Sequence, residues 1–383
     1  MAATTHPPTP RTTAGSLPKT MRALIKSTAG PGLTLVTDRP LPNGSTGKPG
    51  EPGPNDVLVR VHKAGVCGTD RHIYEWDDWA AGRIPVGIVT GHEFVGVVVR
   101  VGSAVEQVKP GDRVSAESHI APGHDYNSLI GDAHVARNMQ ILGVDRDGIF
   151  ADYAMIPQSH IWPVNNDIPD KWAAIFDPFG NAVHTVMSAG VSVKSVLITG
   201  AGIIGLMAVA VAKAAGAQQL FVAEPDPRRR ELALKLGAKK AFNPLPKDKG
   251  GQGDDWVKEI KSTVQGEGVD VLLEMSGNAS AIVQGFRAMR QGGTAALLGI
   301  PSKSFNFDIT EHIIFKGADV LGINGRQMWQ TWFQMERLIL AGAVNLDDII
   351  THELPFEDYN RAFELMQTGE GIKIVLDLNG PTR

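Results

Sequence analysis

Cysteine is almost missing from this sequence: its 383 residues include one, Cys67. A lone cysteine excludes any disulfide within the chain and any metal knot of four thiolates. Neither sign of charge dominates. The 37 basic and 41 acidic side chains give a formal net charge of −4, which argues against nucleic acid or an anionic membrane as the main partner. Long apolar runs are lacking too. Residues Val196 to Ala212 carry no charge and approach the length of a membrane span, but Gly200, Gly202 and Gly205 break the stretch. A buried strand, a glycine turn and a buried helix account for it better. Met1–Thr20 is rich in Thr, Pro and Ala and has no hydrophobic segment of the kind a secretory signal needs. It reads as a disordered tail, and the chain as cytoplasmic. No internal repeat is evident.

What is present is an ordinary globular composition, 43% hydrophobic and 20% charged. The length predicts roughly two domains, because one core rarely grows beyond about 250–300 residues. The first half reads as β-rich. Met21–Lys26, Val57–Ala64, Phe94–Val101, Arg113–Ala116 and Phe150–Ile156 are short Val- and Ile-rich runs separated by turn-forming residues. Pro42–Pro54, dense in Gly, Pro and Ser, reads as an exposed loop. From about Ala182 the rhythm changes. Apolar strands at Val196–Thr199, Leu220–Ala223, Val269–Leu273 and Thr294–Leu298 alternate with helical patterns at Ile203–Ala215, Arg228–Leu236 and Ser280–Arg290. That alternation predicts an α/β unit, a parallel sheet covered on both faces. A helix over Met328–Ala341 and a strand over Lys373–Leu378 close the chain.

Gly200-Ala201-Gly202-Ile203-Ile204-Gly205 follows a predicted strand and opens a predicted helix. In that setting the first glycine permits a tight turn and the second lets the backbone approach a pyrophosphate. The third allows helix and strand to pack closely, with the helix N-terminus facing the phosphates. Glu224 ends the next strand. A carboxylate there accepts hydrogen bonds from the adenosine ribose and repels a 2′-phosphate, so NAD is expected over NADP. Arg229, opening the following helix, is the residue that could instead meet a phosphate.

Cys67 sits in Ala64-Gly65-Val66-Cys67-Gly68-Thr69-Asp70, and Gly91-His92-Glu93 follows one apolar segment later. A thiolate, an imidazole and a carboxylate thus reach the ends of neighbouring extended segments. Three mixed ligands with a fourth place open is how a catalytic zinc is held. The plainer reading of an isolated cysteine is a small buried hydrophobe; the His-Glu pair and the dinucleotide fingerprint weigh against it.

Together these segments resemble the zinc-dependent medium-chain dehydrogenases. The likeness is carried by Val66–Tyr74, Gly91-His92-Glu93, Glu117-Ser118-His119-Ile120 and above all Ala174–Thr185. Leu298-Gly299-Ile300-Pro301, Ile314-Phe315-Lys316-Gly317 and Ile350-Thr351-His352 add to it. The resemblance implies a GroES-like catalytic domain over residues 21–180, completed by about 325–383, and a Rossmann domain over 181–324. It implies one catalytic zinc on Cys67, His92 and Glu93, which lowers the pKa of a coordinated hydroxyl so that a secondary alcohol can pass hydride to NAD. Thr69 and His72 correspond to the proton relay to solvent, and Asp177 to an acidic group beside the metal. Along the cofactor lie Gly200, Gly202, Ile204, Gly205, Glu224, Arg229, Leu298, Gly299, Ile300, Ile323 and Asn324. The expected substrate is L-threonine, giving 2-amino-3-oxobutanoate, with Glu117 and His119 as candidates for its charged groups. A polyol or another secondary alcohol is the alternative, and a non-catalytic dinucleotide sensor is the reading from another class.

The chain also departs from the pattern. Four cysteines that hold a structural zinc in most members fall here on Pro122, Asp125, Ser128 and Ala136. The structural zinc is therefore expected to be absent, and the lobe to be held by packing around Leu129, Ile130 and Val135. A homotetramer is the assembly the resemblance implies.

Overall fold

The computed structural model describes residues 16–379, so most of the expected N-terminal tail lies outside the described residues. The first strand is Thr20–Ile25, paired antiparallel with Thr34–Pro40. A seven-stranded sheet follows the order Ile350–Pro355, Lys373–Asp377, Asp56–Val66, Glu93–Val101, Arg113–Ala116, Ile161–Pro163, with Tyr153–Pro157 also on Asp56–Val66. The long central strand, Asp56–Val66, has Val57, Val59, Val61, Ala64 and Val66 in the core. The C-terminal strand runs antiparallel to it, pairing Ile374 with Val66, so the last residues complete the sheet that carries Cys67.

The second sheet is parallel throughout, in the order Lys240–Phe242, Gln219–Ala223, Ser195–Thr199, Val269–Glu274, Met289–Leu297, Asp319–Gly322. Chain order reverses between Ser195–Thr199 and Val269–Glu274, whose ends Thr199 and Glu274 lie side by side. Ligands of open parallel sheets bind outside the strand ends at such a reversal. The uncharged stretch is a strand, a glycine turn and the helix Ile203–Ala214, and no helix among the described residues is long and apolar enough to cross a membrane.

Helix Phe176–Ala189 joins the two sheets and runs across the boundary expected at residue 180. Phe176, Phe179, Val183 and Val186 enter one core that also contains Val95 and Val375 of the antiparallel sheet and Val196 and Ile198 of the parallel one. Burial of this size, on the order of 2 kcal/mol per large side chain, fixes the helix and the acidic residue on its first turn. The helix expected through Arg290 stops at Ala288, and the next strand begins at Met289 rather than Thr294. The strand expected from Phe150 begins at Tyr153; Phe150 and Ala151 are buried but precede it.

The lobe after Ile120 corrects another expectation. Leu129, Ile130 and Val135 do not form its core: they are 74%, 55% and 38% exposed. Polar contacts tie it instead. The Asp125 carboxylate accepts from Ser128 Oγ at 2.5 Å and from the Arg137 N–H at 3.3 Å, and Asn127 Nδ2 donates to the Val135 carbonyl at 2.7 Å. Asp125 and Ser128, two of the positions at which the resemblance implies structural-zinc ligands, thus bond to each other. Pro42–Pro54 is largely an exposed loop, stapled by Asp56, whose Oδ2 accepts from Ser45 and Gly53 N–H groups.

Candidate active site

Cys67 follows the central strand directly and caps helix Gly68–Glu75. Its sulfur accepts the Thr69 N–H at 3.2 Å, while its own N–H donates to Asp70 Oδ2 at 3.0 Å. His92 arrives from the adjacent strand start with Nε2 3.1 Å from Cys67 Sγ. Its other nitrogen, Nδ1, faces Asp70 Oδ1 at 3.8 Å, and Asp70 is fully buried. A carboxylate behind the outer nitrogen of an imidazole is the usual way a histidine ligand is aimed at a metal. Sequence reading missed Asp70, although its position three residues after the cap is local information.

Five residues form two groups that overlap at His92. Ligand atoms of Cys67, Asp70 and His92 lie within 4.8 Å of one another, and so do those of His92, Glu93 and Asp177. Glu93 is drawn toward a buried partner: Lys373 Nζ lies 2.6 Å from its Oε2 and donates to the Val66 carbonyl at 2.9 Å. Asp177, on the first turn of Phe176–Ala189, approaches His92 from the other side.

Asp177 is held by a residue the sequence reading did not single out, Arg326. The guanidinium is buried, with Nη1 2.8 Å from Asp177 Oδ1, Nε donating to Glu117 Oε2 at 2.8 Å and Nη2 donating to Ser118 Oγ at 3.0 Å. Nη2 also bonds Glu117 Oε1. Ser118 Oγ in turn donates to Asp177 Oδ2 at 2.6 Å, and Trp332 Nε1 donates to Glu117 Oε2 at 3.0 Å. Burial pushes both carboxyls up, but Arg326 outweighs it and holds Glu117 and Asp177 below the usual carboxylate range. Glu117 is therefore a fully engaged counter-ion, with no oxygen turned to an open pocket. His119 stands beside it, kept neutral by burial and by Arg326, with Nδ1 unpartnered.

The donor set fits a divalent metal. Burial disfavours a charged His92, yet Cys67, Asp70 and Asp177 hold it well above its ordinary range. Cys67, Asp70, Glu93 and Asp177 gather negative charge around one imidazole, which a cation would neutralise, and thiolate, imidazole and carboxylate are zinc ligands. Thr69 lies against the thiolate, while His72, on the last turn of the same helix, is 57% exposed.

The dinucleotide turn has the form its sequence requires. Gly200 has φ +85°, and a Cβ there would lie 2.9 Å from Ser276 Cα; a Cβ on Gly205 would strike the Gly200 carbonyl at 2.0 Å. A Cβ on Gly202 would meet nothing within 4 Å, which leaves the close approach a pyrophosphate needs. Ile204 is on the first turn of the helix behind it. Glu224 is buried, and its two oxygens accept the Ala201 N–H at 2.7 Å and the Asp226 N–H at 2.9 Å. Arg229 is half-buried with Nε unpartnered, whereas Arg228 is bound to Asp226 and Arg230 to the Glu224 and Pro225 carbonyls. Leu298 and Gly299 bond the Glu274 carbonyl, Ile323 bonds that of Leu297, and Ile300 and Asn324 are exposed beyond them.

Known families match both halves of the molecule. The alcohol dehydrogenase GroES-like domain matches residues 53–166, and the zinc-binding dehydrogenase domain matches residues 204–341. The chain is 44% identical over 360 residues to the L-threonine 3-dehydrogenase of Pyrococcus horikoshii, covering 94% of this chain and 99% of that one. It is 45% identical over 359 residues to that of Symbiobacterium thermophilum, covering 94% and 98%. A zinc-binding dehydrogenase of Sinorhizobium meliloti 1021, solved bound to NADP, superimposes with a TM-score of 0.80 at 28% identity over 94% of this chain and 99% of that one. With the GroES-like and parallel sheets, the candidate metal ligands and the glycine turn all in place, the chain belongs to the zinc-dependent medium-chain dehydrogenases, oxidoreductases that work with zinc and NAD(P).

Proposed function

We propose that this protein oxidises L-threonine to 2-amino-3-oxobutanoate with NAD. The observation that carries the reading is the pair of metal-capable groups that share the buried His92, Cys67 in one and Glu93 and Asp177 in the other, in a chain similar over nearly its whole length to L-threonine 3-dehydrogenases. Cys67 and His92 would hold a single zinc, with Glu93 or Asp177 as the carboxylate. When bound, the ion supplies Lewis acidity that makes a substrate hydroxyl acidic near neutral pH.

The chain's own residues do the rest. Asp70 aims His92. Arg326 keeps Asp177 ionised and in place. The Gly200–Gly205 turn presents backbone N–H groups and a helix N-terminus to the pyrophosphate, and Glu224 takes the adenosine ribose. Thr69 and His72 carry the substrate proton outward, and the exposure of His72 suits the solvent end of such a path. His119 remains the candidate for a polar group of the substrate; Glu117 acts through Arg326. One observation favours a second reading, a polyol or other secondary alcohol: Glu117, the residue suited to a substrate ammonium, is already consumed by Arg326 and Trp332.

Assembly as a homo-oligomer is supported by the edge strand Asp319–Gly322, paired on one side only, beside Ile314 and Phe315, which are 63% and 76% exposed. Steady-state assays with NAD and a panel of threonine, serine and polyols test the substrate. Enzyme that turns over polyols readily and ignores threonine would refute it. Metal analysis after dialysis should return one zinc per chain, and about two tightly held ions would overturn the single-site reading.

A further inference from the structure

We propose that Asp77 is a positioning residue of the proton path, fixing the tautomer of His72; the proposal rests on the reading that His72 carries the substrate proton.

The local chain is built to bring the two together. Helix Gly68–Glu75 ends at Trp76, a non-glycine residue in the left-handed region at φ 59°, ψ 49°, whose N–H donates to the His72 carbonyl at 2.9 Å. The Trp76 ring lies 4.4 Å from the buried Lys26 ammonium, which also donates to the Ile73 carbonyl at 2.8 Å. The reversal at Trp76 is thus held from two sides. It sets Asp77 back over the last turn of the helix, where Oδ2 lies 2.6 Å from His72 Nδ1. Asp77 Oδ1 accepts the Ala80 N–H at 3.0 Å and so caps helix Asp78–Arg83. The edge-on Trp79 ring, 6.0 Å away, bounds the imidazole on another side.

A carboxylate is an acceptor only, so His72 must donate Nδ1–H to it, which leaves Nε2 as the basic nitrogen. In the transfer, the substrate O–H bond breaks as a new O–H forms on the relay group, whose own O–H breaks as Nε2–H forms; Nε2–H then breaks to water, while the Nδ1 proton stays on the ring, hydrogen-bonded to Asp77. Asp77 is not protonated, and the electron pair that leaves the substrate as hydride goes to the nicotinamide. Two nearby cations are already paired: Arg71 with Glu75 on its own helix at 2.8 Å, and Arg83 beside Trp79 with Asp145 at 2.8 Å.

Asp77→Asn separates this role from capping, because asparagine caps a helix as well as aspartate. With its oxygen on the Ala80 N–H, the amide presents a donor to Nδ1 and reverses the tautomer. Asp77→Ser also caps but is too short to reach the ring. Long-range proton–nitrogen NMR of the histidine-labelled, cofactor-free protein reads the tautomer directly. The wild type should show His72 protonated at Nδ1, and Asp77→Asn should show it at Nε2. Turnover should fall about 10- to 100-fold, part of what a general acid–base group supplies, with zinc content, NAD affinity and thermal unfolding unchanged. Both variants keeping wild-type tautomer and turnover would overturn the proposal. His72→Asn with normal turnover would instead overturn the reading beneath it.

Discussion

In the dinucleotide cleft, backbone does the positioning: three glycines shape the turn, and Glu224 is tied down by two N–H groups. Around the candidate metal ligands, charged side chains position one another. Arg326 spans Glu117 and Asp177, Lys373 meets Glu93, and Asp70 backs His92, with most of these groups fully out of water. The two halves therefore differ in fragility. A backbone cradle needs only the right glycines and a strand–turn–helix to carry them. A buried charge network is satisfied as a unit, and removing one member leaves another uncompensated.

The largest effect should come from Arg326→Met. It strands Glu117 and Asp177 in the interior, and breaking such a pair costs about 3–5 kcal/mol. We expect that loss in denaturant unfolding, together with at least a 10²-fold fall in turnover from a misplaced Asp177. Arg326→Lys should recover part of the stability. NAD affinity, read by titration, should barely change. If it collapses in parallel with turnover, the two halves are not independently built.

Acid should find the same weakness. His160 is buried, and that burial holds its imidazole down to about 4. Its Nε2 accepts the Ala121 N–H at 2.9 Å and its carbonyl accepts the Glu117 N–H at 2.9 Å, so it braces the segment carrying Glu117, Ser118 and His119. An unfolded histidine titrates near 6.5. Between 6.5 and 4 the unfolded chain binds a proton that the folded chain refuses, so stability falls as pH drops through that window. The contribution lost between pH 7 and pH 5 is about 2 kcal/mol. His160→Gln keeps an acceptor without a proton site and should flatten the slope by that amount in urea titrations at the two pH values. Equal slopes would remove His160 as the acid-sensitive brace.

The same contrast explains what the sequence revealed. The glycine turn, the strand ahead of it, Cys67 and His92 were legible because each is a local pattern: turn, cap and strand end within a few residues. Asp70 and Asp77 were equally local, three residues past one cap and forming the next, and a search for caps would have found them. Arg326 and Lys373 were not legible. Arg326 meets Glu117 across 209 residues and Lys373 meets Val66 across 307, and no periodicity encodes such contacts. Glu117 looked available to a substrate for that reason. The lobe misled differently: Leu129, Ile130 and Val135 have core composition, but a segment this short has no facing layer on which to bury them.

The smallest effect sharpens the cleft itself. On the proposed reading Glu224 has two roles: its charge would repel a 2′-phosphate, and its Oε2 braces the Ala201 N–H inside the glycine turn. Glu224→Ser removes both, since serine is too short to reach Ala201. NAD should bind more weakly because the turn and the ribose lose a partner. NADP should bind more strongly, because repulsion ends and Arg229, whose Nε is unpartnered, is free to meet the phosphate. With the charge of this carboxylate removed, the NADP-to-NAD ratio of kcat/KM should shift by about 10- to 100-fold. Glu224→Ser with Arg229→Ala should lose most of the NADP gain while keeping the NAD loss. The pair of measurements separates charge from scaffold. A wild-type enzyme that already uses NADP as well as NAD would show that Glu224 acts here as a strut alone.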